Sequence, residues 1–290
     1  MELLVTLRKR ALLEKILPFV DGVIAGKLFC SSYHLTLKDL EDIRDCCREN
    51  DKKYYIVMDD FISEDELDTL YRYLDFLRRL DVDGIFFHDF GVYAAAQKMS
   101  LTERLIYDGK TMACNSLDTA FLLSKGIASV VLARELTLKE IKEILLNNPG
   151  AVDLQIFGHI RLSYSKRRFL TNYFKEIHKD FDYFDNEELS LAEEQRDYRL
   201  PIVENKEGTF IYSDYVLEMF DELPDLKPYL RRGIVDTLFI PDETIISVCR
   251  DLNRLTDENK SFLKKGLYQN ATENYGSAFL YQRTNITKDE

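Results

Sequence analysis

Side chains able to do acid–base chemistry stand at the ends of several short apolar runs. Asp59 and Asp60 follow one run, and either could act as a general acid or base or as a metal ligand, or could cap the next helix. His88 and Asp89 follow another run, and a carboxylate beside an imidazole can orient it for proton transfer near neutral pH. Because adjacent strand residues point to opposite sides, we expect one of this second pair to be structural, with Asp89 placed to cap a helix at Phe90.

Groups suited to binding an anion follow the later runs. Arg134 and Glu135 end the apolar run 129–132, and an inward Arg134 would bind a carboxylate or phosphate through two hydrogen bonds. The alternative is a salt bridge between neighbouring strand ends. Asn115 stands past a further strand end and is expected to line the same pocket.

The densest basic cluster of the chain lies in residues 158–168, beside several hydroxyl groups. It could hold an anionic substrate or a stretch of RNA backbone. For the triplet 166–168 alone, a solvated loop is the favoured alternative. The polar residues of this cluster are His159, Arg161, Ser165, Lys166, Arg167 and Arg168.

Several common catalytic mechanisms find no support in the sequence. It has no GxSxG, HExxH or Walker motif, and its histidines are His34, His88, His159 and His178. Its five cysteines have no CxxC spacing, so we expect reduced thiols and neither a disulfide framework nor a zinc site. Cys30 or Cys114 beside a strand-end histidine could form a thiol–imidazole pair, although burial as a small apolar filler is the commoner role.

The strand ends that carry these residues are predicted to belong to parallel strands. Up to about residue 160, short runs of β-branched or aromatic residues alternate with longer stretches in which apolar residues recur at helical spacing. This pattern is typical of parallel strands joined by crossover helices. Capping boxes at Ser63 to Glu66 and Thr137 to Glu140 mark two helix starts, and further helices are predicted over 36–49 and 116–124. The predicted strands are 2–6, 22–26, 53–58, 84–87, 104–107, 129–132 and 153–157.

This alternation of strands and helices predicts an α/β fold. A TIM-barrel-like (β/α) fold is favoured over an open doubly wound sheet, because no glycine-rich phosphate loop follows the first strand. An eighth strand is predicted over 236–240, followed by a helix over 242–255. Residues 173–232 do not continue the alternation of strands and helices. They are expected to form an insertion that contains a hairpin of 200–204 and 208–212. Residues 266–290 are expected to be a loop-like tail, so that 1–290 form a single domain.

The charge distribution argues against general affinity for nucleic acid but leaves room for a local basic patch. The net charge is −12, and residues 180–197, with eight acids and one base, supply seven of these negative charges. The sequence has neither the ~18 to 20 consecutive apolar residues of a membrane span nor a signal peptide at its start. A cytoplasmic protein without membrane contact is expected.

Taken in order, the strand-end motifs resemble those of the peptidase U32 family. Residues 83–89, DGIFFHD, are similar to the family's "gvDgiiv-D" strand, and residues 131–136, VLAREL, to its signature "vLsREl". Residues 153–159 are similar to its "E-vF-hG" strand, and residues 22–26, 208–217 and 274–280 to further segments. The order and spacing match over about residues 1–175, and the REL element is the most specific part.

The resemblance implies a barrel in a family described as collagenase-like proteases. Other branches act in oxygen-independent hydroxylation of quinone precursors, tRNA or ribosomal RNA, and some carry a four-cysteine iron–sulfur cluster. Residues 162–167 are similar to an element of the quinone branch, but Arg168 stands where that branch has a cysteine. Because Cys30 alone matches a cluster ligand, we expect no iron–sulfur centre; the role of a divalent metal stays open.

Three hypotheses follow for the function. The first is a U32-type hydrolase with a pocket at the C-terminal ends of the barrel strands, acting on a peptide or small anion. The second is a non-proteolytic subunit of an RNA- or quinone-hydroxylation system that works with a longer U32 paralogue and contacts RNA through 161–168; a homodimer is the other assembly considered. The third is a scaffold whose strand-end polar groups are all paired internally.

The residues expected at the site divide into two groups. Asp89, Arg134 and His159 should share one rim, because parallel strands deliver their C-terminal ends to one face. The catalytic candidates are His88, Asp89, Glu135 and Asp60, and the substrate-binding candidates are Arg134, Asn115, His159, Arg161, Ser165 and Arg167.

Overall fold

Eight parallel strands form a closed barrel in the computed structural model, which describes residues 1–31, 35–192, 194, 197–269, 271 and 273–282. The strands in chain order are β1 (Glu2–Thr6), β2 (Gly22–Ala25), β3 (Lys53–Met58), β4 (Gly84–Phe87), β5 (Leu105–Asp108), β6 (Ser129–Val131), β7 (Val152–Ser165), β8 (Ser190–Ala192), β9 (Arg199–Asn205), β10 (Gly208–Glu218), β11 (Arg232–Val235) and β12 (Tyr275–Gly276). β1 to β7 pair in sequence order, and β11 pairs in parallel with both β7 and β1. The predicted TIM-like barrel is confirmed.

Ten α-helices lie within the described residues, and several of them cover the outside of the barrel. They are α1 (Leu13–Ile16), α2 (Leu37–Glu49), α3 (Leu67–Leu80), α4 (Phe90–Lys98), α5 (Ser116–Ser124), α6 (Leu138–Asn147), α7 (Phe169–Glu176), α8 (Leu223–Leu226), α9 (Asp242–Asn253) and α10 (Lys260–Gln269). Both predicted capping boxes form, at Ser63 and at Thr137. On α3 the leucines at helical spacing, Leu70, Leu74 and Leu77, are buried, as the periodicity predicts. Within the described residues no helix has the length and apolar character to cross a bilayer.

The eighth barrel strand was predicted at the wrong place. The strand is β11, which begins with Arg232 and Gly233, two residues that do not indicate a buried strand. Arg232 is accepted there because it pairs with Asp153 inside the barrel. Residues 236–240, predicted as the strand, form a loop in which the Thr237 amide donates to Thr6 Oγ1 at 2.9 Å and Leu238 packs on the β9–β10 hairpin.

β7 is far longer than predicted and extends the barrel sheet into an antiparallel part. Its first part pairs with β6 and β11, and from Phe157 onwards it pairs with β10. Gly158 lies at the change, with a φ of 120° and no room for a side chain, since a Cβ would approach the Asp236 carbonyl oxygen to 2.7 Å. The predicted hairpin is confirmed as β9 and β10, and β10 extends to Glu218.

The segment predicted as a loop-like tail is partly ordered secondary structure. α10 continues to Gln269, and β12 pairs with β10. The Leu280 carbonyl accepts from the Leu138 amide at the start of α6, at 2.9 Å. Residues 283–290 lie outside the described residues, as do His34 and, within the acidic segment, Glu193 and Arg196.

The barrel interior has three layers. At the N-terminal ends of the strands lies a polar network, here called the floor, in which Arg232 Nη1 lies 3.1 Å from Asp153 Oδ2 and the Ser129 hydroxyl donates to the same oxygen at 2.6 Å. Above it is an apolar layer that includes Leu4, Ile24, Phe86, Ile106 and Ile234. A second polar layer follows at the C-terminal ends of the strands. The members of the floor are Glu2, Lys53, Tyr55, Ser129, Asp153 and Arg232.

Candidate functional site

A cleft opens to solvent at the C-terminal ends of the barrel strands. Its walls enclose about 770 Å³, including the part open to solvent. Every barrel strand, or the residues just after it, contributes to the wall. Polar groups among the lining residues are Thr6, Asp59, Asp108, Lys110, Thr111, Arg134, Glu135, Gln155, His159, Arg161, Tyr212 and Asp236.

Asp108, at the end of β5, is the centre of the ionic contacts in the cleft. Both oxygens bind the Arg134 guanidinium, with Nη2 at 3.0 Å from Oδ2, and Lys110 Nζ lies 2.7 Å from Oδ2. Burial opposes ionisation of Asp108, but Arg134 and Lys110 outweigh it and hold the pKa of this carboxyl well below its ordinary value. Asp108 is therefore a fixed negative charge at neutral pH.

Asp59, just after β3, anchors the other side of the cleft. Its carboxylate accepts from the Ser31 amide at 2.9 Å and lies 3.3 Å from both Arg161 and Lys110. Burial would raise the pKa of Asp59, but Lys110, Arg161 and the Ser31 hydrogen bonds outweigh it and lower the pKa to about 2. Lys110 thus bridges two ionised carboxylates, and we call Asp59, Asp108, Lys110, Arg134 and Arg161 the mouth network.

The salt bridge expected for Arg134 as an alternative is present, and the guanidinium also faces the cleft. Nε donates to Gln155 Oε1 at 3.2 Å, while Nη1 and Nη2 each donate to Asp108. A guanidinium has further N–H groups, and within the described part of the chain no other acceptor is assigned to them. Arg134 can therefore keep Asp108 and still donate to a ligand.

Two histidines stand near the mouth network, and both are held as neutral rings. His159 Nδ1 donates to the Ser213 carbonyl at 2.8 Å, and His88 Nδ1 to the Asp108 carbonyl at 3.2 Å. A carbonyl can only accept, so Nδ1 carries the proton in each neutral ring and Nε2 keeps its lone pair. Burial lowers the pKa of both imidazoles.

Four rings form what we call the aromatic ladder along the rim: His88, Phe61, Tyr164 and Phe210. The ring centroids of Phe61 and Tyr164 are 5.5 Å apart, and those of Tyr164 and Phe210 are 4.9 Å apart, both stacked. The Tyr164 hydroxyl donates to Asp60 Oδ1 at 2.7 Å. Burial, and a hydrogen bond with Glu207, raise the pKa of Asp60 to about 7.

The structure brings four of the predicted site residues into the cleft wall: Arg134, Glu135, His159 and Arg161. Asp89 and Asn115 instead cap α4 and α5, where their side chains accept from the amides of Gly91 and Leu117 at 2.6 and 3.0 Å. Capping is one of the roles predicted for Asp89. Because its side chain is used in the cap, Asp89 does not line the cleft beside Arg134 and His159, as was also predicted. The other predicted residues, Asp60, His88, Ser165 and Arg167, lie around the cleft rather than in its wall.

The carboxylate that faces the cleft is Asp59, whereas its neighbour Asp60 was the predicted site residue, and Lys110 was not predicted at all. The alternation of strand residues makes one of two adjacent acids face inward, but periodicity alone does not say which. Lys110 lies two residues past β5, in a turn with a φ of 59°. A basic residue so soon after a strand end was the available signal.

The cysteines do not fit a four-thiolate cluster. Cys46 and Cys47 lie on α2, Cys249 on α9, and Cys30 packs in the barrel interior. Cys114 is exposed, and its thiol donates to the Thr111 carbonyl at 3.2 Å. In the part of the chain that the structure describes, no group of three or more His, Cys, Asp or Glu side chains is arranged to hold a metal ion.

Curated proteins with similar sequences include RNA-modifying proteins. The chain is 30% identical over 235 residues to tRNA hydroxylation protein P2 of Bacillus subtilis, covering 78% of this chain and 75% of that protein. It is 31% identical to the uncharacterized protease MJ0090 of Methanocaldococcus jannaschii over 71% of this chain, and 24% identical to the 23S rRNA 5-hydroxycytidine C2501 synthase of Escherichia coli over 55% of it. It spans 52% of the archaeal protein and 24% of the E. coli enzyme.

Among solved structures, the U32 peptidase Mk0906 has a similar fold, with a TM-score of 0.51 and 14% sequence identity. The superposition covers 81% of this chain and 92% of that one, so the barrel is shared over most of both proteins. The sequence model for peptidase family U32 matches residues 26–287, which include every member of the mouth network. This chain belongs to peptidase family U32.

Proposed function

We propose that this chain is an RNA-binding subunit of a cytoplasmic RNA-hydroxylation system and works with a longer U32 protein. The observation that carries the proposal is its 30% identity to tRNA hydroxylation protein P2, over 78% of this chain and 75% of that protein. A second relative, the E. coli synthase, is also named for hydroxylation of an RNA base. Two different RNA classes are named, so the proposal is made for RNA and not for one molecule.

The basic segment after β7 supports an RNA contact. Lys166, Arg167 and Arg168 are exposed and follow directly on the strand that carries the cleft residues His159 and Arg161. Clustered cations bind phosphates and release the counterions of the nucleic acid, and they can do so even where the net charge of the protein is negative. In this proposal the triplet holds RNA backbone beside the cleft.

The cleft itself is proposed to hold a small anionic substrate. Arg134 would donate its further N–H groups to a carboxylate or phosphate of that substrate, and Asp108 fixes the direction in which the guanidinium faces. Glu135 and His159 line the same cleft and would move a proton there. Asp60, His88, Asp89, Asn115 and Ser165 take supporting positions around it.

Peptide hydrolysis is the second candidate, because the M. jannaschii relative is named a protease. An activated cysteine nucleophile needs a lowered thiol pKa, whereas burial and the nearby Asp118, Glu135 and Glu140 raise the pKa of Cys114. A hydrolase on this scaffold would therefore have to activate water instead, with a cleft carboxylate or His159 as base. Cleavage of a fluorescent casein by the purified protein would favour this candidate.

Nucleoside mass spectrometry tests the main proposal. Total tRNA and ribosomal RNA from a strain without the gene should lack one hydroxylated nucleoside that the parent strain contains, and the wild-type gene should restore it. A variant with Lys166, Arg167 and Arg168 all changed to alanine should restore it poorly. As a control, Lys139, which is exposed on α6, would be changed to alanine and should restore it fully. An unchanged set of nucleosides in the deletion strain would contradict the proposal.

A further inference from the structure

We infer that Phe61 and Tyr164 form a stacking platform for an unpaired base of the RNA, at the rim of the cleft. This inference rests on the proposed RNA function and adds to it the form of the substrate: a single-stranded loop or end whose bases are free to leave their stack. The basic triplet would hold the backbone of the same segment.

The platform is rigid because its inner rings are held on several sides. Phe210 is fully buried, and Tyr164 stacks on it with an interplanar angle of 23°. The Tyr164 hydroxyl is held by Asp60 at 2.7 Å, and Phe61 lies on Tyr164 with an interplanar angle of 24°. A ring kept in place in this way loses little entropy when a ligand stacks on it.

Phe61 has the exposure that a ligand needs. It is 42% exposed, although Tyr164 stacks on it and the His88 ring contacts it at a centroid distance of 4.8 Å and an interplanar angle of 79°. A phenylalanine ring gains nothing from contact with water, and a nucleobase offers it a flat π surface of similar width. Bases in a duplex are covered on both faces, so an unpaired base is the one that fits.

Positive charge lies next to the platform, where a nucleotide carries its phosphate. Lys166 Nζ donates to the Phe61 carbonyl at 2.7 Å, which places the ammonium group at the backbone of the platform residue. Behind the platform, the Arg161 guanidinium lies 5.7 Å from the Tyr164 ring and 5.6 Å from the Phe210 ring. Aromatic rings interleaved with cations are the arrangement by which proteins bind single-stranded nucleic acid.

The platform also lies next to the cleft. Phe61 follows the cleft residue Asp59 by two positions, and Arg161 contacts both Asp59 and the Tyr164 ring. A base stacked on Phe61 would thus place its neighbour in the RNA strand near the cleft opening. The platform then explains how one nucleotide is presented to the mouth network while the next is held.

Fluorescence anisotropy with labelled RNA tests this inference. The probes are a single-stranded RNA of about 12 nucleotides, within the site sizes of single-strand binders, and the duplex of the same sequence. Phe61→Ala should weaken binding of the single strand about tenfold, because one stack of a base on an aromatic ring is lost. Phe61→Trp should keep the affinity, and binding of the duplex should not change in either variant.

Two controls distinguish the loss of stacking from the loss of a positive charge and from general destabilisation of the fold. Phe262→Ala removes an exposed aromatic ring on α10, 76% exposed and far along the chain from the cleft, and should leave both affinities unchanged. Lys166→Ala should reduce the salt dependence of binding, whereas Phe61→Ala should not. Tenfold loss for Phe61→Trp as well as Phe61→Ala would show that the ring serves another purpose and would overturn the inference.

The inference and the proposed function can fail separately. If Phe61→Ala binds the single strand as well as the wild type does, the platform is wrong, while loss of the hydroxylated nucleoside in the deletion strain would still support the RNA function. If the wild type binds neither probe, the platform and the RNA contact of this subunit are both wrong. An unchanged nucleoside profile would contradict the RNA function itself.

Discussion

The two ends of the barrel carry ionic networks that differ in their access to solvent. At the floor, the side chains of Arg232 and Asp153 are 4% and 0% exposed. At the mouth, the carboxylates are almost as buried, but the cations that pair with them are not: the side chains of Arg134 and Lys110 are 12% and 20% exposed. The buried charges are compensated in both networks, but the central cation of the floor, Arg232, is shielded from solvent, whereas Arg134 and Lys110 at the mouth are in contact with it. The floor is therefore expected to matter for stability, and the mouth for binding.

Removing one partner of the floor pair should give the largest loss of stability. Asp153→Ala removes the buried carboxylate of Arg232 and leaves it only the partly exposed Glu2, 3.4 Å from Nε, which should lower the free energy of unfolding by about 3 to 5 kcal/mol. Urea titration followed by circular dichroism measures this change. The double variant Asp153→Leu with Arg232→Met should recover much of the loss, because it leaves no charge unpaired. A double variant as unstable as the single one would show that the pair contributes more than charge compensation.

The corresponding change at the mouth should cost less. Asp108→Asn keeps the shape of the side chain but leaves Arg134 and Lys110 with a neutral partner, at a cost of about 1 to 3 kcal/mol. The cost is smaller than at the floor because both cations can turn to water, and Lys110 keeps Asp59. The same urea titration measures it, with Asp45→Asn, whose side chain is 61% exposed, as a control expected to change little. A loss equal to that of Asp153→Ala would remove the distinction between the two ends.

A change of one pH unit should have the smallest effect, and this effect comes from the rim carboxyl Asp60. Burial and the hydrogen bond with Glu207 raise the pKa of Asp60 to about 7, so the folded protein keeps a proton that the unfolded chain loses near pH ~4. Stability should therefore fall as pH rises from about 4 to 7, by up to about 1 kcal/mol per pH unit, and Asp60→Asn should flatten this slope.

Asp59 gives the opposite sign, which provides a control at the adjacent residue. Its pKa is about 2, so its contribution to stability is present above pH ~4 and is lost as pH falls towards 2. Urea midpoints for the wild type and Asp60→Asn, measured at steps between about pH 3 and pH 7, separate the two. If the urea midpoints of the wild type and Asp60→Asn changed in parallel with pH above pH ~4, Asp60 would be ionised in the folded protein.

Most of the barrel could be predicted because its strands and helices have strong local signals. Buried parallel strands appear as continuous apolar runs, and the capping boxes at Ser63 and Thr137 mark helix starts whatever the rest of the chain does. β11 could not be predicted in this way. Its first residue, Arg232, is stabilised by Asp153, which is far away in sequence, and no local pattern reveals such a partner.

The site could be predicted only in part for a related reason. Parallel strands fix the end of the barrel where the polar residues meet, and this was enough to place Arg134, His159 and Arg161 in one cleft. Which neighbour faces inward depends on strand twist and on competing local roles. Asp89 and Asn115 cap the helices that follow them. The residue types that suggest catalysis therefore also serve as helix caps.

The closure of the barrel by β11 has a consequence for how the chain folds as it is synthesised. Glu2 pairs with Arg232 in the final register, so the first strand must wait for most of the polypeptide before its neighbour arrives. Until then β1 and β7 are open sheet edges, and the floor carboxylate Asp153 has no guanidinium beside it. Contacts so distant in sequence slow folding and prolong the time in which exposed edges can aggregate. We therefore expect nascent chains that stop short of β11 to depend on chaperones, and full-length chains to be released from them.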